Sequence, residues 1–244
     1  MAESLDDLIG TMAALITESE LKTNDIDELK AKSAQGNLGA TLRLGKIYKE
    51  KHNYTEALKY YAILAGKGNT DAMYEAGIAA MSARYNQARS RKDRLYYQQE
   101  AIRFLTMAAN NGRLDAEFQL GMIYISNEYI SERLFSGGEN DKKGVEYLLS
   151  AARKSYPPAQ YYLAQAYGEG FGVRKSIEEE FFWLRCAQIN GYKKADERIR
   201  QFANSSAANA LHNMLEQIDK RIAANKDYIK AYYIAKEAQG YSSK

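Results

Sequence analysis

Between residues 159 and 195 the apolar positions fall at helical spacing twice over. Ala159, Leu163, Ala164 and Tyr167 recur at i, i+4, i+5 and i+8, a spacing that lines one face of a helix. Gly168, Gly170 and Gly172 then predict a break, because glycine adopts backbone angles closed to other residues. A second helix is predicted from about residue 176 to 189. Phe181, Phe182, Leu184 and Ala187 give it bulk and a small contact near its end. Gly191 reads as its left-handed stop, and Ala195 opens the next unit.

The same skeleton recurs upstream. Ala40, Leu44, Gly45 and Tyr48 lead to Ala57, Tyr60, Tyr61, Ala65 and Gly68. Ala72, Ala76, Gly77 and Ala80 lead to Ala101, Leu105, Ala108, Ala109 and Gly112. Ala116, Leu120, Gly121 and Tyr124 lead to Gly144, Leu148, Ala151 and Ala152. Starts at Ala40, Ala72, Ala116, Ala159 and Ala195 give periods of 32, 44, 43 and 36 residues. Small residues at fixed positions let paired helices approach, and aromatics fill the space between pairs. Such a unit cannot bury its apolar face alone, so neighbours must stack on it. Sustained two-residue alternation is absent, which argues against sheets. The expectation is an all-α solenoid.

These residues resemble the Sel1-like repeat family, a relative of the tetratricopeptide repeat. The family pattern is A-x3-LG-x2-Y-x2-G-x-GV, a helix with aromatic positions, then AA-x2-G-x3-A. Residues 159–195 fit it best, through Tyr167, Gly170, Gly172 and Val173. Departures are Ala76 for the Leu, Ala80 for the Tyr, Ala164 for the Gly, and Tyr156 where a stop glycine is expected. The resemblance spans roughly residues 30 to 200. It implies a superhelix of antiparallel helix pairs and a role in protein–protein interaction. It implies no fixed site residues.

Residues 1–36 read as a degenerate capping unit, 37–195 as four repeats, and 196–244 as C-terminal capping helices, all in one continuous body. Residues 4–17 pattern as an amphipathic helix through Leu5, Leu8, Ile9, Met12, Leu15 and Ile16. A second helix starts after Asn24 or Asp25, either of which suits an N-cap, and stops at Gly36. Beyond a predicted break at 204–206, Leu211, Met214, Leu215, Ile218 and Ile222 form one long apolar face. A last helix carries Tyr228, Ile229, Tyr232 and Tyr233. Open solenoid ends need cover, so these segments are expected to be caps, the C-terminal one rather than a dimer seam or groove plug.

The net charge of +3 hides an asymmetry. Residues 1–31 hold eight acidic side chains against two lysines, a net of −6, which leaves +9 for the rest. No stretch approaches the roughly 20 apolar residues of a membrane span, and acidic residues stand where a signal peptide carries positive charge. No membrane partner is expected. The single cysteine, Cys186, lies beside Leu184 and Ala187 and reads as a small core residue in a reducing, cytoplasmic setting. His52 and His212 lack neighbours at ligand spacing, so no metal or cofactor is expected.

In stacks of the tetratricopeptide type the first helix of each pair lines the concave surface. That geometry assigns Leu42, Tyr74, Phe118 and Tyr161 to one column, and Lys46, Ile78, Met122 and Gln165 to a second. Lys49, Met81, Ile125 and Gly168 make a third. The middle is apolar and adaptable and suits a helix or extended peptide of a partner protein, or alternatively packs against the N-terminal or C-terminal helices of the same chain. Two insertions stand apart. Arg84, Arg89, Arg91, Lys92 and Arg94, with tyrosines beside them, read as a solvated helical extension, or alternatively as a surface for nucleic acid or an acidic partner. Tyr129, Ile130, Leu134 and Phe135 form an apolar insertion that folds back or meets a partner. No catalytic constellation appears. Ser90-Arg91-Lys92 and Ser242-Ser243-Lys244 lack the Ser-x-x-Lys spacing that the hydrolase alternative, suggested by cysteine-rich relatives of the family, would need. The reading is a non-enzymatic scaffold, adaptor or inhibitor, of undetermined oligomeric state.

Overall fold

The computed structural model describes residues 24–125, 138–203 and 208–224, with the side chains of residues 138 and 208–211 left aside. The expected helices at 4–17 and 228–240, the break at 204–206 and the apolar insertion lie outside the described residues. Among the described residues there are eleven helices and no strand. They are α1 (Ile26–Ala34), α2 (Leu38–Glu50), α3 (Tyr54–Ala65), α4 (Thr70–Asn86), α5 (Arg91–Asn110) and α6 (Leu114–Ile125). Then come α7 (Gly138–Arg153), α8 (Pro157–Glu169), α9 (Ile177–Ile189), α10 (Lys193–Ala203) and α11 (Ala208–Ala224). No helix among the described residues is long and apolar enough to cross a membrane.

One device ends several of these helices. At Gly36, Gly68, Gly112 and Gly191 the backbone turns left-handed. The stop residue donates its N–H three residues back and the next residue donates five back, as in Gly68 to Ala65 and Asn69 to Leu64. That following residue then opens the next helix. Asn37 caps Ala40 N–H and Asn69 caps Ala72 N–H, each at 2.7 Å. In the fourth repeat the stop is Ser155, with φ of 61°, whereas Tyr156 is extended and precedes α8. The expected stop at Tyr156 is therefore off by one residue. Counting four back from Ala159, as for Ala72 and Ala116, lands on Ser155.

Gly168 is also corrected. It does not break α8 but lies inside it, and the left-handed stop falls at Gly170, with φ of 80°. Gly172 serves a different need. A Cβ there would overlap the backbone of Asp141 at the start of α7, so only glycine lets this turn pass so close.

The chain falls into two compact units. The first covers Met1–Ala116 and the second Glu117–Lys244. In the first, α1 packs on α2, α2 on α3, α3 on α4 and α4 on α5. Its core includes Leu29, Ala40, Leu44, Leu64, Phe104 and Leu105. In the second, α7 packs on α8, α8 on α9, and α9 on both α10 and α11. Leu148, Leu163, Phe181, Phe182, Leu184 and Cys186 are fully buried there, and Ile218 and Ile222 of α11 join the same core. Burying each large aliphatic or aromatic side chain contributes about 1.5–3 kcal/mol.

Small residues set the spacing within pairs. A Cβ on Gly77 would lie 2.6 Å from Leu105 Cγ, and one on Gly121 2.7 Å from Leu148 Cδ2. At Gly45 the neighbour is the Tyr61 ring, at 2.9 Å. The second pair is longer than the first, with helices of 17 and 20 residues against 13 and 12. Its extra turns lean back on α3. Gln87 Oε1 accepts from Thr55 N–H at 2.8 Å and from Thr55 Oγ1 at 3.1 Å, while Thr55 Oγ1 lies 3.0 Å from Tyr97 Oη.

Candidate partner-binding surfaces

Helix α2 carries Leu42, Lys46 and Lys49 on one face because their spacing is near one helical turn. Together with Tyr74 of α4 they line a hollow of about 710 Å³ in the first unit. Tyr61, Asp71, Glu75 and Arg113 share it, as do His52 of the α2–α3 turn and Tyr54 at the start of α3. Its charges are organised in pairs. Lys49 Nζ sits 2.5 Å from Glu75 Oε2. Arg113 donates to Asp71 and, through two nitrogens at 3.0 and 2.6 Å, to Asp115. The same guanidinium lies 4.6 Å over the Tyr74 ring. Burial works against its charge, but the Asp115 hydrogen bonds and the two carboxylates outweigh that and hold it protonated. His52 takes a left-handed φ of 56°, and its Nδ1 lies 2.8 Å from Tyr54 Oη. Of the expected cationic rim, Lys49 is thus paired with a carboxylate. Ile78 and Met81 are half-buried on α4 but do not line this hollow.

In the second unit the expected positions divide. Phe118 and Tyr161 belong to an aromatic cluster. Phe118 lies 5.8 Å from Tyr156 and 5.5 Å from Tyr162, and Tyr161 lies 5.4 Å from Tyr162 and 5.2 Å from Tyr192. These rings are partly exposed and pack against the edge of the core. Met122, Ile125 and Gln165 instead line a hollow of about 360 Å³ with Leu148, Tyr162, Phe171, Glu169, Glu180 and Arg198. Gly168 does not line it, but sits behind it against the Glu180 carboxyl.

Glu180, Arg198 and Phe171 were not among the sequence candidates. Glu180 sits in an acidic run at the start of α9, where a carboxylate ordinarily complements the helix dipole in solvent. Its spacing to Leu184 and Ala187 nevertheless puts it on the buried face, and it is 6% exposed. That i, i+4, i+7 relation is the signal in the sequence.

The basic insertion does not form one patch. Arg84 is 5% exposed and turned inward, on the face already marked by Ala76 and Ala80. Arg94 is half-buried, and Arg89, Arg91 and Lys92 are exposed around the α4–α5 turn. Asp93 closes a capping box there with Ser90. That leaves three exposed cations rather than five.

Comparison with known proteins places the architecture. The crystal structure of c5321, a protective antigen present in uropathogenic Escherichia coli strains and displaying an SLR fold, matches with a TM-score of 0.55 and 23% identity. The match covers 95% of this chain and 53% of that one. A Sel1 repeat protein from Oxalobacter formigenes gives a TM-score of 0.54 at 21% identity, covering 88% of each chain. In sequence, the alginate biosynthesis protein AlgK of Azotobacter vinelandii is 32% identical over 72 residues, 30% of this chain and 16% of that protein. No family model matches the chain. The fold is that of the Sel1-like repeat, an α-solenoid of helix pairs, as the sequence resemblance implied.

Proposed function

We propose that this protein is a non-enzymatic interaction scaffold that engages a partner polypeptide through the first-helix faces of its repeats. The observation that carries the reading is the partial exposure of those faces. Leu42, Lys46, Lys49 and Tyr74 line one hollow, and Met122, Ile125 and Gln165 line another. Aromatic and aliphatic walls with a few fixed polar groups suit a side-chain-bearing segment, which gains affinity by covering apolar area and register from the charges. The repeat fold supports the same class of role. An adaptor or occluding inhibitor in a reducing, cytoplasmic setting is the form of it that a lone buried cysteine fits best. The AlgK match is confined to a short segment of that protein, so a place in alginate biosynthesis is not part of the proposal.

The test is affinity capture with the immobilised full chain. Wild type is compared with a Leu42→Ala/Tyr74→Ala double variant and a Met122→Ala/Gln165→Ala double variant, each first shown to keep its helical circular dichroism. Proteins held by wild type and released by one or both variants support the reading. Equal capture by all three rejects it.

A further inference from the structure

The hollow of the second unit holds an ionisable group that its surroundings leave under-compensated. Glu180 projects from α9 into a space walled by Met122, Ile125, Leu148 and Phe171, and its side chain is 8% exposed. The hydrogen bond that reaches it comes from Arg198 Nη2 at 3.4 Å, near the limit for such a bond. Arg198 is itself divided. Its guanidinium carbon lies 5.0 Å over the Phe202 ring, and its buried Nε has no partner among the described residues. A carboxylate taken out of water needs close donors to offset the loss of hydration, and one long contact falls short of that.

The backbone is shaped around this group. Gly168 lies in the last turn of α8, two residues before the left-handed Gly170. A Cβ at that position would come within 2.7 Å of the Glu180 carboxyl carbon and of Oε2. The missing side chain is what gives the carboxylate its seat. Of the charged groups that line the hollow, Glu169 and Glu180 are acidic and Arg198 is basic, which leaves it net negative. Phe171, 46% exposed, stands at its edge.

We infer that this hollow takes a lysine or arginine side chain of a partner polypeptide, its aliphatic stem against Met122, Ile125 and Phe171 and its cationic head on Glu180. The inference rests on the scaffold reading above and specifies which chemistry the second unit selects. The cation supplies the close donor that Glu180 lacks among the described residues, and the apolar walls cover a stem that in either residue is three or four methylenes long. Glu169 adds attraction from the rim, which salt weakens more than the buried contact.

Selection from a displayed library of random 12-residue peptides tests this without a known partner. The full-length wild type is expected to enrich peptides with a lysine or arginine flanked by apolar residues. Glu180→Gln, nearly isosteric, should bind the same synthetic peptides roughly tenfold or more weakly, as expected for a lost charge-assisted hydrogen bond. It should no longer distinguish them from versions with norleucine in place of the basic residue. Gly168→Ala keeps the charge but crowds its seat and should reproduce much of that loss. Phe171→Ala should weaken all peptides while keeping the basic preference. Enriched peptides without a basic residue, or equal binding by wild type and Glu180→Gln, overturn the inference while leaving the scaffold reading in place. No enrichment at all overturns both. Self-association in sedimentation that Glu180→Gln abolishes would assign the hollow to a second copy and overturn the partner assignment.

Discussion

Leu105 rests directly on the Cα of Gly77, so closely that a methyl group on the glycine would lie 2.6 Å from Leu105 Cγ. Leu148 stands in the same relation to Gly121. In the fourth pair Ala164 takes the glycine's place, with Leu184 at the equivalent position of the second helix. The Leu-Gly step of the repeat is thus a packing requirement between the helices of a pair.

Gly77→Ala tests that requirement. Alanine gains about 1 kcal/mol of helix propensity, while overpacking a fully buried leucine costs about 1–3 kcal/mol. Overpacking is expected to win, with a lower urea midpoint for the variant. A Gly77→Ala/Leu105→Ala double variant should lose less than the sum of the singles, since the two residues contest one space.

Gly112→Ala isolates backbone strain from crowding. Gly112 has a φ of 88° and nothing within 4 Å of a built Cβ. The expected cost is therefore the left-handed penalty of about 1–2 kcal/mol. Gly66, with φ of −67° and only ordinary contacts, should respond oppositely. Gly66→Ala is expected to stabilise by about 0.4–1 kcal/mol, through the entropy of the unfolded chain. Chemical denaturation of both variants checks the sign reversal.

The Cys186 thiol gives a pH signature. Burial pushes it up to about 12, partly opposed by the charge of Arg221, from an ordinary 9.0. The unfolded chain releases this proton near pH 9 while the folded chain retains it. The contribution is complete below pH 9 and is lost progressively as pH rises to about 12. Stability of wild type should fall more steeply over that window than stability of Cys186→Ala. Thiol-specific labelling at pH 8 should be slow in the native protein and fast in denaturant.

At the interface of α9 and α11, ion pairs and apolar burial can be ranked. Arg221 donates to Glu179 at 2.6 and 3.2 Å, and Arg185 to Asp219 at 2.7 and 3.0 Å. These side chains are 27% to 45% exposed, so each pair is screened and worth about 1 kcal/mol or less. Ile218 is 2% exposed. Ile218→Ala is expected to cost about 2–5 kcal/mol, more than Arg221→Ala, by thermal or urea unfolding.

The helix pairs were legible because their small and large residues repeat at 3.6-residue spacing, which survives even where Ala76 and Ala80 replace larger residues. Three of the side-chain placements that escaped the sequence share one cause. A charged or glycine residue was assigned its commonest role. Arg84 stands in sequence with the exposed basic run, yet it continues the face of Ala76 and Ala80. Glu180 was overlooked within three consecutive glutamates, although only this one shares a face with Leu184 and Ala187. Gly168 was grouped with two glycines that do turn left-handed, whereas its own role is to seat a carboxylate from the facing helix. The two hollows depend on which helices come to lie beside which, and no local pattern contains that.

Gln87 extends this to folding. The first-turn amides of a helix have no acceptor within it, and Thr55 N–H finds one in the side chain at the far tip of the following pair. Opening that tip therefore uncouples the start of α3 as well. The exchange of the Thr55 amide with deuterium should report the breathing of the α4–α5 end, some thirty residues away along the chain, and Gln87→Ala should make the one free of the other.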